Sequence, residues 1–302
     1  MLATTGITGQ SARSTEWSAL SPRRLADLAV GALRAEAELT PKPGLVDRRG
    51  GGTHRDMDLD LLLVSAEALR DTFEQCATAA IQLPLGPQLR ARLGVIGQEG
   101  EARMLAATGG VNTHRGALWA LGLLSAATVR HCDATSATRF AANLARLPDR
   151  GLPMAMVDSH GQRMCRRYGV AGAKGEAAEG FPHVTRYALP ALHRARALGA
   201  CEVTAQLDAL LAVMAHLDDT CLLHRGGPAG LAAVRAGARV VVSAGGCASR
   251  AGHAALVELD RLARVRRLSA GGSADVLSAA LFLDSLTGSR LPHRPGGLGC
   301  RP

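Results

Sequence analysis

The sequence is poor in aromatic residues: two Trp, two Tyr and four Phe make 3% of 302 positions. A β-sandwich draws on Tyr, Phe and β-branched residues, so this scarcity, beside abundant Ala, Leu and Gly, favours closely packed helices. It also counts against a reader of single-stranded nucleic acid, which stacks bases on aromatic platforms. No run of about eighteen apolar residues occurs, so no transmembrane helix and no membrane partner are expected. The first 22 residues hold no apolar core of the kind a secretory signal needs, which makes a cytoplasmic protein the expectation. Seven cysteines, an odd number, include no Cys-x-x-Cys pair, so neither a zinc site nor a disulfide framework is indicated.

The chain is 47% hydrophobic, enough to bury a sizeable core, and carries a formal net charge of +9. Such a charge asks for an anionic partner: nucleic acid, a membrane surface or a polyphosphate substrate. With so few aromatics, a phosphate-rich small molecule fits best. Arg261, Arg264, Arg266 and Arg267 read as a solvated surface.

Apolar spacing predicts helices over Arg23–Leu39, Met57–Ile81 (apolar on most faces, hence central and buried), Gln88–Ala107, Ala137–Arg146, Met154–Tyr168, Pro182–Gly199, Val203–Leu217, Ala248–Arg267 and Ala274–Leu286. A further one is opened by Asn112 and carries Leu118, Trp119, Leu121, Leu123 and Leu124. Arg239–Val242 reads as a strand by propensity but is too short to overturn a helical chain. No repeat or linker divides the sequence. The expectation is an all-α protein, a single compact multi-helix domain over 23–287 between tails 1–22 and 288–302.

The stretch Thr40-Pro41-Lys42-Pro43-Gly44-Leu45-Val46-Asp47 stands out. Two prolines cannot sit inside a helix, so Lys42 is expected on display on a stiff loop. Gly50, Gly51 and Gly52 come next and would let backbone approach a ligand; His54, Asp56 and Asp58 then lead into a helix. Cation, free amides and carboxylates suit a Mg-nucleotide site. A capping box between Thr53 and Asp56 is the plainer alternative for two of these residues.

Four later segments carry similar chemistry. Asn112-Thr113-His114-Arg115 flanks a helix N-terminus, an anion site or simply a cap. Lys174, Glu176 and Glu179 lie between glycines, the two acids on one face if the segment is helical. Asp218-Asp219 is read as ending a helix, where the dipole disfavours acids and something positive must compensate; Arg225 lies six residues on. Gly271-Gly272-Ser273-Ala274-Asp275 opens the last helix, with Ser273 as an ordinary N-cap or the turn as a phosphate holder.

These five blocks, in this order, resemble the ATP:dephospho-CoA triphosphoribosyltransferases. Lys174 and Arg115 stand where that family more often has Arg and Lys. The resemblance implies an active site built from Gly-rich loops at helix ends. It also implies transfer of the triphosphoribosyl group of ATP to the 2′-hydroxyl of 3′-dephospho-CoA, releasing adenine. The product would pass to a prosthetic-group transferase for the acyl carrier protein of malonate decarboxylase, or of citrate lyase. The anomeric change from β to α implies a single displacement with one carboxylate base. Glu176 is then the first choice of base and Asp219 the second; His54 or His114 would protonate adenine. Lys42, Gly44, Gly51, Asn112, Thr113, Arg115, Lys174, Arg225, Gly272 and Ser273 would hold phosphates. Asp47, Asp56, Asp58, Asp218 and Asp275 would supply oxygen to Mg²⁺. Two other classes remain open: a metal-dependent helical hydrolase of ADP-ribose-type or nucleotide substrates, and a non-catalytic nucleotide- or RNA-binding helical protein.

Overall fold

The computed structural model describes residues 20–149 and 159–288. The expected tails, but for their inner ends, and the start of the expected Met154–Tyr168 helix lie outside those residues. Within them the protein is one compact helical domain: α1 (Pro22–Glu38), α2 (Leu59–Ala68), α3 (Arg70–Gln82), α4 (Pro87–Ala107), α5 (Arg115–Thr128), α6 (Ala134–Arg146), α7 (His160–Tyr168), α8 (Gly172–Ala178), a π-helical turn (Val184–Ala188) running into α9 (Leu189–Ala197), α10 (Glu202–Met214), α11 (Thr220–Ser243), α12 (Arg250–Val265) and α13 (Gly271–Gly288). No strand occurs among the described residues; the only β-type pairing there is the isolated bridge between Asp47 and Gly50.

The centre is α5. Every residue from Ala120 to Thr128 is buried, and α1, α3, α4, α6, α8 and α13 pack around it. Its Ala and Gly positions permit close approach; a Cβ on Gly122 would already touch Cys76 Sγ at 3.6 Å. This corrects the expectation that a single helix over Met57–Ile81 is central. The chain breaks at Leu69, whose amide closes a tight turn on Ala66 O (3.3 Å), and Arg70 turns away to pair with Glu67 and with Asp27 of α1. Only α3 is deeply buried; α2 buries Leu62, Ser65 and Ala66, and Val64 is 52% exposed.

Arg239–Val242 lies inside α11. Leu231, Val234, Ala238 and Val241 are buried there while Val240 and Val242 face solvent, a period that only a helix provides. Helix α11 kinks at Gly227 (φ 59°) before Pro228.

The loop between α1 and α2 closes on itself. Asp47 and Gly50 exchange backbone hydrogen bonds (3.1 and 3.0 Å), and the Thr53 amide donates to Gly44 O (3.1 Å). Gly44 and Gly52 have φ of 68° and 60°. A Cβ on Gly52 would overlap Leu45 O, and one on Gly44 would overlap Leu268 O. Chain-on-chain packing requires glycine at both positions.

Gly109 has a similar φ (62°), but a Cβ there meets nothing within 4 Å. Gly109→Ala should therefore cost only the left-handed penalty of about 1–2 kcal/mol. Gly52→Ala should cost more than about 3 kcal/mol, because the atom it strikes is backbone. Urea unfolding midpoints compare the two; equal losses would show that the loop yields without strain.

Candidate active site

Beneath this loop three helix N-termini meet. Asp219 is the N-cap of α11, its Oδ1 accepting the amides of Cys221 (2.9 Å) and Leu222 (3.2 Å). Its Oδ2 accepts both the amide (2.8 Å) and the hydroxyl (2.9 Å) of Ser273 in the first turn of α13. The acid therefore sits at the positive end of a helix, not at the C-terminal end expected, since α10 has already finished at Met214. Ser273 is correspondingly no N-cap: it is fully buried and turned to Asp219. Gly272 lies against the same carboxyl group, at 3.2 Å from where its Cβ would be.

Asp275, one turn into α13, reaches α5. Its carboxylate accepts the Ala117 amide and sits so close to Gly116 that a Cβ there would overlap Oδ2. Burial pushes its pKa well above the carboxylate range, and the charges of Asp219 and Glu36 push it further. It nonetheless keeps partial solvent access. Asp219 is also raised by burial, against the four hydrogen bonds that lower it.

Lys42 is not displayed. It is 1% exposed, its Nζ bonded to Glu36 Oε1 (2.5 Å) and Glu36 O (2.6 Å) near the C-terminal end of α1, where a cation complements the dipole. Glu36 itself was not legible as a site residue; the signal was a charge set in the stripe Leu25, Ala29, Leu33, Glu36 that α1 buries. Counted at full ionisation, Glu36, Asp219 and Asp275 are balanced by Lys42 alone, leaving two negative charges. His114 lies beside Lys42, 4% exposed, with Nδ1 on Ser65 Oγ (2.8 Å), Ser65 on Thr113 Oγ1 (2.6 Å), and Nε2 without a partner. Burial first, then Lys42, lowers its pKa to about 4.

Above this floor lies a polar rim. His54 Nε2 meets Ser269 Oγ (2.9 Å), and Arg225 approaches His54 Nδ1 (3.0 Å) and Arg267 O (3.4 Å). Burial first, then Arg225, lowers His54 to about 4. At neutral pH neither histidine stores a proton for a leaving group. His54, Gly51, Arg55, Asp56, Asp58 and Asp60 line a depression of ≈ 580 Å³. Asp58 caps α2 through the Leu61 amide (2.9 Å), so Thr53 and Asp56 form no capping box; Thr53 Oγ1 donates to Gly44 O instead (3.0 Å).

Other expected residues are committed elsewhere. Asp47 is fully buried, its oxygens taken by Arg49 and by the Lys42 and Arg49 amides. Burial would raise its pKa, but those donors hold it below the usual range. The Gly44 amide donates to Asp260 Oδ1 (2.9 Å), and Asp218 pairs with Arg235 (3.0 Å). Arg115 pairs with Glu101, and Asn112 Oδ1 accepts the Arg115 amide (3.3 Å). In α8, Glu176 is buried with Oε1 on the His183 amide (2.8 Å) and Oε2 on His183 Nδ1 (2.7 Å). Glu179 and Lys174 are exposed, so the two acids do not share an environment. Helix α8 is nonetheless wedged against the other blocks: Ala173 O accepts from Trp119 Nε1 of α5 (3.2 Å), and Gly172 lies against Thr220.

The family model for ATP:dephospho-CoA triphosphoribosyl transferase matches residues 22–292. A protein of Azotobacter vinelandii named "Probable 2-(5''-triphosphoribosyl)-3'-dephosphocoenzyme-A synthase" is 55% identical over 267 residues, covering 87% of this chain and 91% of its own. Proteins of the same name from Stutzerimonas stutzeri (54%; 87% of this chain, 92% of its own) and Pseudomonas aeruginosa (53% over 275 residues; 90% and 92%) are similarly related. No solved structure matches the chain.

Because Asp275 has a raised pKa, the folded state holds its proton at pH values where the unfolded chain, near the ordinary value of 3.8, has lost it. Its ionisation therefore removes stability as pH rises above about 4. Asp275→Asn should melt higher than the parent at pH 8, with the gap closing as pH falls toward about 4. A thermal-melt series across that range checks it; an Asn variant that melts lower at pH 8 would contradict the strained-carboxylate reading.

Proposed function

The chain belongs to the ATP:dephospho-CoA triphosphoribosyl transferase family and is a transferase, and on that premise we propose that it moves the 5-triphosphoribosyl group of ATP onto the 2′-hydroxyl of 3′-dephospho-CoA. Adenine is released and 2′-(5″-triphosphoribosyl)-3′-dephospho-CoA is formed. The observation that carries this reading beyond relatedness is the buried carboxylate excess where α5, α11 and α13 begin. Such a cluster opposes folding, and it suits a reaction whose ribosyl centre becomes cationic.

Asp275 is the residue for that centre. Asp219 has both oxygens filled by four donors and Glu176 has both on His183, which leaves them positioning roles. Among the described residues the Ala117 amide alone donates to Asp275, which keeps partial access and has a pKa raised above the ordinary carboxylate value, the direction that suits a general base. In the displacement the 2′-oxygen bonds to C1 of the ATP ribose, the C1–N9 bond breaks, and Asp275 takes the hydroxyl proton. Adenine leaves with the C1–N9 electron pair and takes its proton from water, since His54 and His114 are neutral and offer no imidazolium.

Magnesium accompanies ATP as its phosphate complex. Among the described residues no three His, Cys, Asp or Glu side chains are grouped for a metal. Mg²⁺ bound through one or two carboxylates, phosphates and waters needs no such group. The exposed oxygens of Asp56 and Asp58 fit that mode and would hold it, and it would screen charge on the triphosphate. Arg55 lines the same depression and Arg225 stands against its residue His54 (3.0 Å), and the two supply cations for the phosphates.

The product's destination is an acyl carrier protein, by way of a prosthetic-group transferase. The wording of Leu217–His224 favours the malonate decarboxylase branch over citrate lyase. A reaction that consumes ATP and dephospho-CoA favours a cytoplasmic enzyme; no helix among the described residues is long and apolar enough to cross a membrane.

With ATP, Mg²⁺ and dephospho-CoA, the enzyme should release adenine in step with a heavier CoA derivative, and release none without dephospho-CoA. Adenine release that ignores dephospho-CoA means a hydrolase. Asp275→Asn should lower turnover about 10²–10⁴-fold with little change in the KM for ATP; equal losses in both would remove the base role.

A further inference from the structure

Both substrates of the proposed reaction carry adenine, yet the chain has few rings to receive one. Among the described residues Phe73, Phe140, Phe181 and Phe282 are buried. Tyr187 lies between His183 and His216, with ring centroids at 5.5 and 4.0 Å. His160 and His224 stack on each other. Tyr168 is packed under Arg167 and the core. Trp119 remains: half-buried, with no other ring stacked on it among the described residues.

Trp119 is held like a plate. Arg90 lies over one face (5.1 Å from guanidinium to ring centroid), and the indole N–H donates to Ala173 O of α8 (3.2 Å). Arg90 is 4% exposed and pairs with Asp149 (2.9 Å), but its Nε has no hydrogen-bond partner; nor has the buried Nε of Arg115, one turn before Trp119 on the same face of α5. Opposite, α4 presents the stripe Arg90, Gly94, Gly97, Glu101, tied to α5 at both ends by Arg90 over Trp119 and Glu101 with Arg115. The Asp149 carboxylate covers Gly94, 2.6 Å from where a Cβ would be, whereas a Cβ on Gly97 would meet nothing within 4 Å. A rigid indole backed by a cation, open backbone at Gly97 and the unpartnered Nε of Arg115 match a flat base with a phosphate attached. Gly116, three residues before Trp119, touches Asp275, so the plate sits about one helical turn from the proposed reacting centre.

We propose that Trp119 is the stacking plate for an adenine ring, with Arg90 as the cation behind it and Arg115 serving the phosphate attached to that nucleoside. The site rests on the reaction proposed above, although its test does not require turnover. In a Trp17→Phe background Trp119 is the sole tryptophan, and its fluorescence is titrated with ATP, with dephospho-CoA, and with tripolyphosphate and 4′-phosphopantetheine as controls lacking a base. Quenching by ATP alone assigns the plate to the donor, quenching by dephospho-CoA alone assigns it to the acceptor, and quenching by both supports an adenine plate whose owner the KM values then decide. Quenching by neither, or equal quenching by tripolyphosphate, overturns it. Trp119→Ala should raise the KM of the assigned nucleotide about tenfold or more, leaving the other within about threefold, and Trp119→Phe should restore most of it. Unchanged KM values for both nucleotides in an active Ala variant also overturn it. An enzyme that quenches but releases no adenine sinks the reaction and spares the plate; an active wild type without quenching does the reverse.

Discussion

The structure depends on the four hydrogen bonds to Asp219. One carboxylate fills both oxygens with donors from the first turns of two different helices, fixing the starts of α11 and α13 against each other. Each bond to a charged acceptor is worth more than a neutral one, and a buried carboxylate without them would be far costlier. The clamp also sets the rotation of α13 about its own axis. Two residues beyond Ser273, Asp275 is carried to the N-terminus of α5, where only a glycine at 116 leaves room for it.

The result is an interior that electrostatics alone would not choose. Three carboxylates share one ammonium, and burial first, then mutual repulsion, raises Asp275. Three helix N-termini converging on them, with partial positive charge at each, make the arrangement tolerable. Groups that a fold supports at a loss are a recurring mark of sites tuned for chemistry. The two histidines take the opposite course: burial first, then Lys42 beside one and Arg225 beside the other, keeps both uncharged, so the imidazoles enter the site as neutral donors.

Much of this was legible in the residues. The Ala-rich periodicity pointed to an all-helical chain, and the acid- and glycine-rich turns marked the places where helix ends meet. What was not legible is which partner each polar group takes. Lys42 between prolines looks displayed, but its reach back to Glu36 depends on where α1 ends in space. Asp218-Asp219 looks like the tail of one helix because sequence periodicity does not separate Ala215–Asp218 from α10; the three-dimensional cap reverses the sign of the dipole argument. Arg239–Val242 has β-propensity, and packing of Val241 against the core outweighs it. Glu36 is the clearest omission, since a charge on a buried stripe is informative only once its partner is known.

The division of labour among the acids comes from valence. A carboxylate offers about four acceptor sites, and Asp219 has four donors, Asp47 is wrapped by Arg49 and two amides, and Glu176 is held at both oxygens by His183. These acids build the walls. Beside these three Asp275 keeps acceptor capacity, and its raised pKa comes first from burial and then from charges of its own sign, with little donation to offset them. Scarcity of hydrogen bonds, more than position in a motif, distinguishes the acid suited to react from those that hold it in place.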